Sequence, residues 1–407
     1  MRRTVGNGNV ARLRPVEKIE LSGKHIGWRL LAVLLFLGIA VASITYGIML
    51  LLSPGEPGWT EIKAKSGAVN CAGDFTFLYE IGVSGRSVSA EQRALNALYT
   101  QLTEKAWQIF SNVEGTEGIR YLNDHPNEDV EVDAALYRAL AQAEASGSRM
   151  LYLAPVAEIY NGLFSCQDDV LTVDFDPLLN DDLRTYFAEV AAFARDPEAI
   201  RVELKGNNTV CIRVSAVYQA FIEQEEIANL VDFHWMRNAF IIDYLADELI
   251  AQGYTFGTLS SNDGFARALD DRGSVSYGYN LYDRGNLAGV MRYRGRRSMV
   301  ALRGYPLSSL DSERFYVRRD GQIRTAYLDV TDGLSRVAAD DLIAYADDRG
   351  CAELVLRVAP VYIADSLDED ALAALAQDGF QSIWFDDGAI RSTDTDVTVS
   401  DPADEPH

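Results

Sequence analysis

The chain has 407 residues, with 60 acidic against 37 basic side chains and a formal net charge of −23 at pH 7. A surface this acidic repels nucleic acid and anionic lipid headgroups, so we exclude both as partners. With 48% hydrophobic and 10% aromatic residues, most of the chain is expected to bury a core of its own.

The segment from Leu30 to Leu52 is an apolar run of 23 residues without a charge. A helix of that length, rising about 1.5 Å per residue, crosses the roughly 30 Å hydrocarbon core of a bilayer. The 29 residues before it carry seven Lys and Arg against two acids, which predicts a cytoplasmic N-terminus. A cleaved signal peptide is the alternative, but the run is too long and no small-x-small cleavage site precedes Pro54. We therefore expect a single-pass cell-membrane protein whose C-terminal part is extracytoplasmic.

Composition divides the chain into five parts. These are a basic cytoplasmic tail (1–29), a transmembrane anchor (30–52), a linker (53–72), a large extracytoplasmic domain (73–391) and an acidic tail expected to be disordered (392–407). The four cysteines lie where disulfides are permitted, and their spacing selects neither a pairing nor free thiols. They are Cys71, Cys166, Cys211 and Cys351.

Helical and strand-like patterns arrive in blocks along the domain. A capping box at Ser89–Gln92 predicts a helix that begins there and continues to about Ile109. Further helices are predicted at about 133–145, 181–195, 236–252 and 369–377. Strands are predicted at about 199–204, 209–215, 274–281, 288–294, 298–302, 314–318, 323–329, 342–346 and 380–385. Blocks of this kind favour an α+β fold over a regularly alternating parallel sheet.

Residue types alone reveal little chemistry. The sequence contains no G-x-S-x-G, Walker or H-E-x-x-H motif and no paired CxxC. His125 and His234 are the two imidazoles of the domain, and a lone histidine beside Trp235 is more often packed than catalytic.

The order of several weak segments resembles the FAD:protein FMN transferase (ApbE) family. The stretch from Asp232 to Asp243 reads DFHWMRNAFIID and matches the family's D-L-G-G-I-A-K-G-Y-A-x-D in length and in both terminal acids. Residues 262–264 (NDG) stand at the family's Gly-Gly loop. Residues 326–333 (AYLDVTDG) stand at H-I-I-D-P-x-T-G and keep Asp329 and Gly333.

The resemblance covers about 75–390 and implies a flavin-transferase fold, T-fold-like, with helices over antiparallel sheet. It implies a flavin site, with Asp329 as the candidate catalytic residue. The implied cofactor-binding residues are Asp232, Asn238, Asp243, Asn262, Asp263 and Gly264.

Departures from the family motifs imply lost catalysis. The family's Mg²⁺-binding A-D-A-x-x-T is replaced by residues 351–356 (CAELVL), so no metal is expected. If a shifted metal site exists, Asp329 and Glu353 are the candidate replacement ligands. The family's histidine is replaced by Ala326. Its Gly pair is replaced by His234 and Trp235, whose rings we expect to fill the flavin pocket.

We therefore interpret the chain as a membrane-anchored ApbE-like domain, a degenerate transferase that binds or scaffolds. Its partner could be a flavinylated or another surface protein. One alternative is an active FAD:protein FMN transferase with a shifted metal site, which would require FAD and Mg²⁺. The other is an acidic surface-interaction ectodomain unrelated to flavin.

Overall fold

The structure is a computed structural model that describes residues 56–65, 71–308, 311 and 313–401, with the isolated positions 31 and 36. The chain divides into two units, 1–55 and 56–407. Apart from Leu31 and Phe36, the predicted anchor lies outside the described residues. Within the described ranges, no helix combines the length and the apolar character that a bilayer crossing requires.

The second unit contains helices and strands in mixed order. The α-helices of its described residues are α1 (Val88–Phe110), α2 (Ile119–Asn123), α3 (Ala134–Ser146), α4 (Ala154–Tyr160), α5 (Asp181–Arg195), α6 (Ala216–Gln224), α7 (Arg237–Ala251), α8 (Cys351–Tyr362) and α9 (Glu369–Gln377). The strands are β1 (Gly58–Ile62), β2 (Phe75–Ile81), β3 (Val130–Glu131), β4 (Ile200–Leu204), β5 (Thr209–Val214), β6 (Gly257–Ser261), β7 (Phe265–Ala268), β8 (Ser276–Asp283), β9 (Asn286–Arg294), β10 (Arg297–Arg303), β11 (Phe315–Val317), β12 (Ile323–Thr325), β13 (Asp341–Asp347), β14 (Gln381–Asp386), β15 (Ala389–Ser392) and β16 (Thr398–Ser400).

An eight-stranded antiparallel sheet in the order β1-β2-β6-β7-β10-β13-β14-β15 organises this unit. Helices α1, α7, α8 and α9 pack against it, and the small sheet β16-β9-β8 is built separately. Strand β13 shows why both faces of the sheet are apolar. Leu342 and Ala344 join the core on the helix side, whereas Ile343 and Tyr345 join a second core shared with β8 and β9. Because successive side chains point to opposite faces, a strand covered on both sides reads as a continuous apolar run.

The α+β prediction is confirmed, and the strongly amphipathic helices fall where the periodicity puts them. The predicted helices at 181–195 and 369–377 coincide with α5 and α9. The predicted capping box at Ser89 is wrong. Helix α1 begins at Val88, its N-cap residue is Ser87, and the Ser87 side chain makes no capping hydrogen bond. Ser89 is therefore already in the first turn of the helix.

The predicted linker and the predicted disordered tail both contain strands, so these two expectations are wrong in part. β1 lies within 53–72 and pairs along its whole length with β2. In the tail, β16 pairs with β9, and Val397 and Val399 pack against the second core. Residues 402–407 lie outside the described residues. Val399 in β16 and Val397 just before the strand are thus two apolar side chains that help to order a segment whose composition is otherwise polar.

All four cysteines are free thiols, so the choice that the sequence left open resolves against disulfides. Cys71, Cys211 and Cys351 are buried, and Cys166 is partly exposed.

The carboxylate of Asp243 ties three elements of the helix-side core together. Its two oxygens accept hydrogen bonds from the backbone N–H groups of Cys351 (2.9 Å) and Ala352 (2.8 Å), the first residues of α8. Arg267 of β7 donates to the same carboxylate at 3.0 Å. A Cβ on Gly350 would lie 2.2 Å from Asp243 Oδ2, so only glycine fits where α8 begins. Burial raises the pKa of Asp243, and the guanidinium and the two amides oppose that rise.

These contacts of the Asp243 carboxylate predict that Asp243→Ala strongly destabilises the folded protein. The change leaves two helix N–H groups without their acceptor and removes one of the two carboxylates that pair with the largely buried Arg267, so we expect a loss of about 3 kcal/mol in the free energy of unfolding. Asp247→Ala is the matched control. It removes the second carboxylate on Arg267, also at 3.0 Å but 57% exposed, and should cost less than about 1 kcal/mol. Urea titration followed by circular dichroism measures the unfolding free energy of both variants. Equal losses in the two variants would contradict this structural role of Asp243.

Candidate functional site

The three segments matched to the family's flavin-lining motifs meet in space. The ring of Trp235 stands edge-on to that of Tyr327, with centroids 4.8 Å apart and planes at 89°. The Asn238 side-chain amide donates to Asp263 Oδ2 at 3.0 Å. Segments far apart in sequence (232–243, 262–264 and 326–333) therefore converge, as their alignment with the family predicts.

A cavity of about 730 Å³ opens at this junction. Its wall is formed by Gly73, Asp74, Asn161, Phe164, Ser165, His234, Trp235, Arg237, Asn238, Asn262, Asp263, Glu313, Arg314 and Ala326. The expectation that His234 and Trp235 fill the pocket is wrong, because both residues line a cavity that stays open beside them.

Asp232 acts on the cavity through His234. Its Oδ1 accepts the His234 backbone N–H at 2.6 Å and lies 3.7 Å from the ring Nδ1. These contacts hold His234 at a positive φ of 48°, a conformation that side-chain-bearing residues rarely adopt. Burial lowers the pKa of His234 although Asp232 opposes the change, so the imidazole is neutral at pH 7. Of this pair, only His234 lines the large cavity, while Asp232 lines a smaller one beside it.

The loop of residues 262–264 is fixed from both sides. Asn262 donates its backbone N–H to the carbonyl of Asp74 (2.9 Å) and its side-chain amide to the carbonyl of Gly73 (3.2 Å). Gly264 has φ +93°, and a Cβ there would lie 2.5 Å from the Ala301 carbonyl oxygen. The glycine thus serves the tight turn, and Asn262 and Asp263 form the cavity wall.

The cavity carries charges of both signs. Arg237 lies with its guanidinium 5.5 Å from the centre of the Trp107 ring, and its Nε has no hydrogen-bond partner within the described ranges. Arg314 is 3.9 Å from Asp263 and 3.7 Å from Asp311, both loose ion pairs. These two arginines are the cationic groups that could meet an anionic ligand.

Three carboxylates oppose the two arginines around the cavity, those of Asp74, Asp263 and Glu313. The pKa of Asp74 is raised, first by burial and then by the negative charges of Asp263 and Glu313. The arrangement therefore suits a ligand that presents hydrogen-bond donors as well as negative charge.

Asp243 does not line the cavity of about 730 Å³, so its assignment as a cofactor-binding residue is wrong. It lines a different and smaller cavity, and both of its oxygens are engaged at the start of α8. A sequence match cannot distinguish an acid that meets a ligand from one that meets a helix N-terminus.

Asp329 and Glu353, the two candidate replacement ligands for a metal, lie apart. Asp329 pairs with Arg336 at 3.0 Å, and the same guanidinium reaches Asp365 at 3.6 Å, beyond the C-terminal end of α8. Glu353 pairs with Arg349 in the first turn of α8. The helix separates its first turn from its last by roughly 13 Å. No group of three or more His, Cys, Asp or Glu side chains that could hold a metal ion occurs within the described ranges. With each acid paired to a different arginine at a different end of α8, Asp329 and Glu353 do not come together as ligands of one Mg²⁺ ion.

Several cavity residues carried no recognisable signal in the sequence. Asn161 and Phe164 come from a 3₁₀ segment after α4, and Arg314 precedes β11. Arg237 lies within the matched segment, but no family feature marked it. Single charged or aromatic residues in loops look like ordinary surface positions until the fold brings them together.

Neither a family model nor a curated protein matches the sequence. Solved structures do match the fold. An ApbE protein from Thermotoga maritima aligns over 83% of this chain and 97% of its own length, with 14% identity and a TM-score of 0.57. The flavin transferase ApbE from Vibrio cholerae aligns over 85% and 98%, with 14% identity and a TM-score of 0.55. A His-to-Gly variant of the Vibrio protein gives 15% identity and a TM-score of 0.54, with coverage of 84% and 97%. The described domain therefore has the fold of the ApbE flavin transferases, in a highly divergent sequence.

Proposed function

We propose that this chain is a flavin-binding relative of the flavin transferases that no longer transfers FMN. The observation that carries the proposal is the open cavity of about 730 Å³ at the junction of the three family-like segments. Its volume falls in the range of about 300–1,000 Å³ typical of small-molecule sites.

The wall of the cavity supports a flavin-like ligand on chemical grounds. Trp235 and Phe164 provide aromatic surface for a planar ring system. Arg237 and Arg314 provide guanidinium groups for phosphate oxygens. The side-chain amides of Asn238 and Asn262 are uncharged donors and acceptors, which can orient a neutral heterocycle by hydrogen bonds.

The separation of Asp329 from Glu353 supports the loss of transfer. Phosphoryl transfer depends on a cation that neutralises the phosphates and positions the leaving group. With each acid paired to its own arginine at a different end of α8, these residues supply no shared metal site. The same fold would then retain binding without the reaction.

Titration of the purified full chain with FAD tests this proposal. We expect saturable quenching of flavin fluorescence, and Arg237→Ala should weaken binding about ten-fold or more, because a charged hydrogen bond contributes about 1.5–3 kcal/mol. Arg93→Ala is the matched control, since this exposed arginine on α1 donates to the Ser89 carbonyl of its own helix and does not line the cavity. With Mg²⁺ and a flavin-acceptor protein, neither AMP release nor covalent flavin is expected.

Two outcomes would contradict the proposal in different ways. Covalent FMN on the acceptor would establish an active transferase. Absence of any flavin binding would favour the surface-interaction ectodomain.

We also propose that residues 30–52 anchor the domain on the outer face of a membrane, where it would meet a flavinylated or other surface protein. The full chain should remain with membranes after alkaline washing, and a reporter fused at His407 should lie outside the cytoplasm. Release of a shortened soluble form would show instead that the segment is a cleaved signal peptide.

A further inference from the structure

A second cavity, of about 600 Å³, follows one edge of the small sheet β16-β9-β8. It borders every residue from 275 to 280, and all of these except the first belong to β8. Successive side chains of a strand point to opposite faces, so a cavity that meets consecutive residues lies along the edge of the strand. Among the described strands, β8 pairs with β9 alone, which makes it the edge strand of this sheet.

The backbone along this edge is unpaired and open to solvent. In an antiparallel pair, every second residue directs its N–H and C=O toward the partner strand, and the residues between direct theirs away. Beyond the pairing with β9, residues 276–283 make no backbone–backbone hydrogen bond within the described ranges. Gly278 is exposed, and since glycine has only backbone atoms, its exposure is that of the strand itself. An edge of this kind can pair with another extended chain.

The charged side chains that line this cavity are already paired. Arg267 pairs with two acids of α7, and Arg303 pairs with Asp311 at 3.2 Å. Asp341 accepts a hydrogen bond from the Tyr305 hydroxyl at 2.6 Å. Each of these three lining residues therefore has a partner within the chain, so a charged ligand group would gain no free counter-ion from them. The cavity suits an uncharged ligand.

Other lining residues offer neutral hydrogen-bonding groups and apolar surface. Thr258, Ser260 and Tyr279 line the cavity, and their hydroxyls make no hydrogen bond to the described part of the chain. Beside them, the side chains of Trp59 and Leu78 leave the two residues 46% and 40% exposed. Exposed apolar side chains next to an open strand edge can pack against every second side chain of an added strand.

We propose that the edge of β8 and this cavity bind an uncharged, extended peptide segment of another protein, which adds to the small sheet as a further strand. The peptide backbone pairs with β8, and its apolar side chains pack against Trp59 and Leu78. Residues 276–282 (SYGYNLY) carry no charge and no proline, the features that commonly prevent edge pairing. The site lies on the face of the main sheet that carries the second core, and it does not depend on flavin binding.

A blocked, fluorescently labelled heptapeptide of alternating threonine and valine tests this site by fluorescence anisotropy with the full chain. We expect saturable binding. An analogue methylated at its backbone nitrogens should bind about ten-fold or more weakly, because it cannot donate N–H groups to β8. Leu78→Ala should weaken binding of the unmodified peptide about five-fold, since it removes apolar surface from the cavity. Leu287→Ala is the matched control, because this leucine on β9 is 44% exposed and does not line the cavity.

Equal binding of the two peptides by the unchanged protein would overturn strand addition. Absence of binding by the unmodified peptide would overturn it as well, and saturable binding of maltoheptaose in that case would reassign the cavity to neutral glycans. Equal effects of Leu78→Ala and Leu287→Ala would place the peptide outside this cavity and contradict the proposal. The comparison of the two peptides uses the unchanged protein, so it does not depend on the folding of a variant.

Discussion

The largely buried carboxylate of Asp243 connects the elements on which the rest of the domain is built. It holds the first two N–H groups of α8 and the guanidinium of Arg267 on β7. The start of a helix leaves N–H groups unsatisfied and favours negative charge. A single acid on α7 therefore fixes the position of a neighbouring helix and of a central strand. Gly350 is required because the contact is too close for a side chain.

Helix α7, which carries Asp243, also carries two of the cavity residues. Arg237 and Asn238 occupy the first turn of α7, and Asp243 lies further along it. Because Asp243 is tied to α8 and β7, the first turn of α7 has a defined position against the loop of residues 262–264. This loop is fixed in turn by the backbone and side-chain hydrogen bonds of Asn262 and by the tight turn at Gly264. The cavity is thus a gap between rigid elements, which is how a binding site keeps its geometry.

The parts of the fold that the sequence predicted well are those with a strong period. Helices α5 and α9 match their predicted bounds because each has an apolar stripe and clear end signals. β1 and β16 were not predicted, since strands of three to five residues depend on pairing with partners elsewhere in the chain. Their hydrogen bonds come from β2 and β9, which no local pattern can reveal.

The candidate site was predictable to the extent that whole segments could be aligned. The pairing of Asn238 with Asp263 places two predicted residues on one cavity wall. The role of Asp243 and the open space beside Trp235 could not be derived, because both depend on side-chain direction. Arg314 was not identified, since its approach to the cavity follows from the packing of the loop before β11.

A crystal structure of the protein in complex with FMN would establish whether this cavity is the flavin site. We expect the isoalloxazine ring to lie beside Trp235 and the phosphate to lie at Arg237. A flavin bound elsewhere on the domain, with this cavity holding only water, would contradict it.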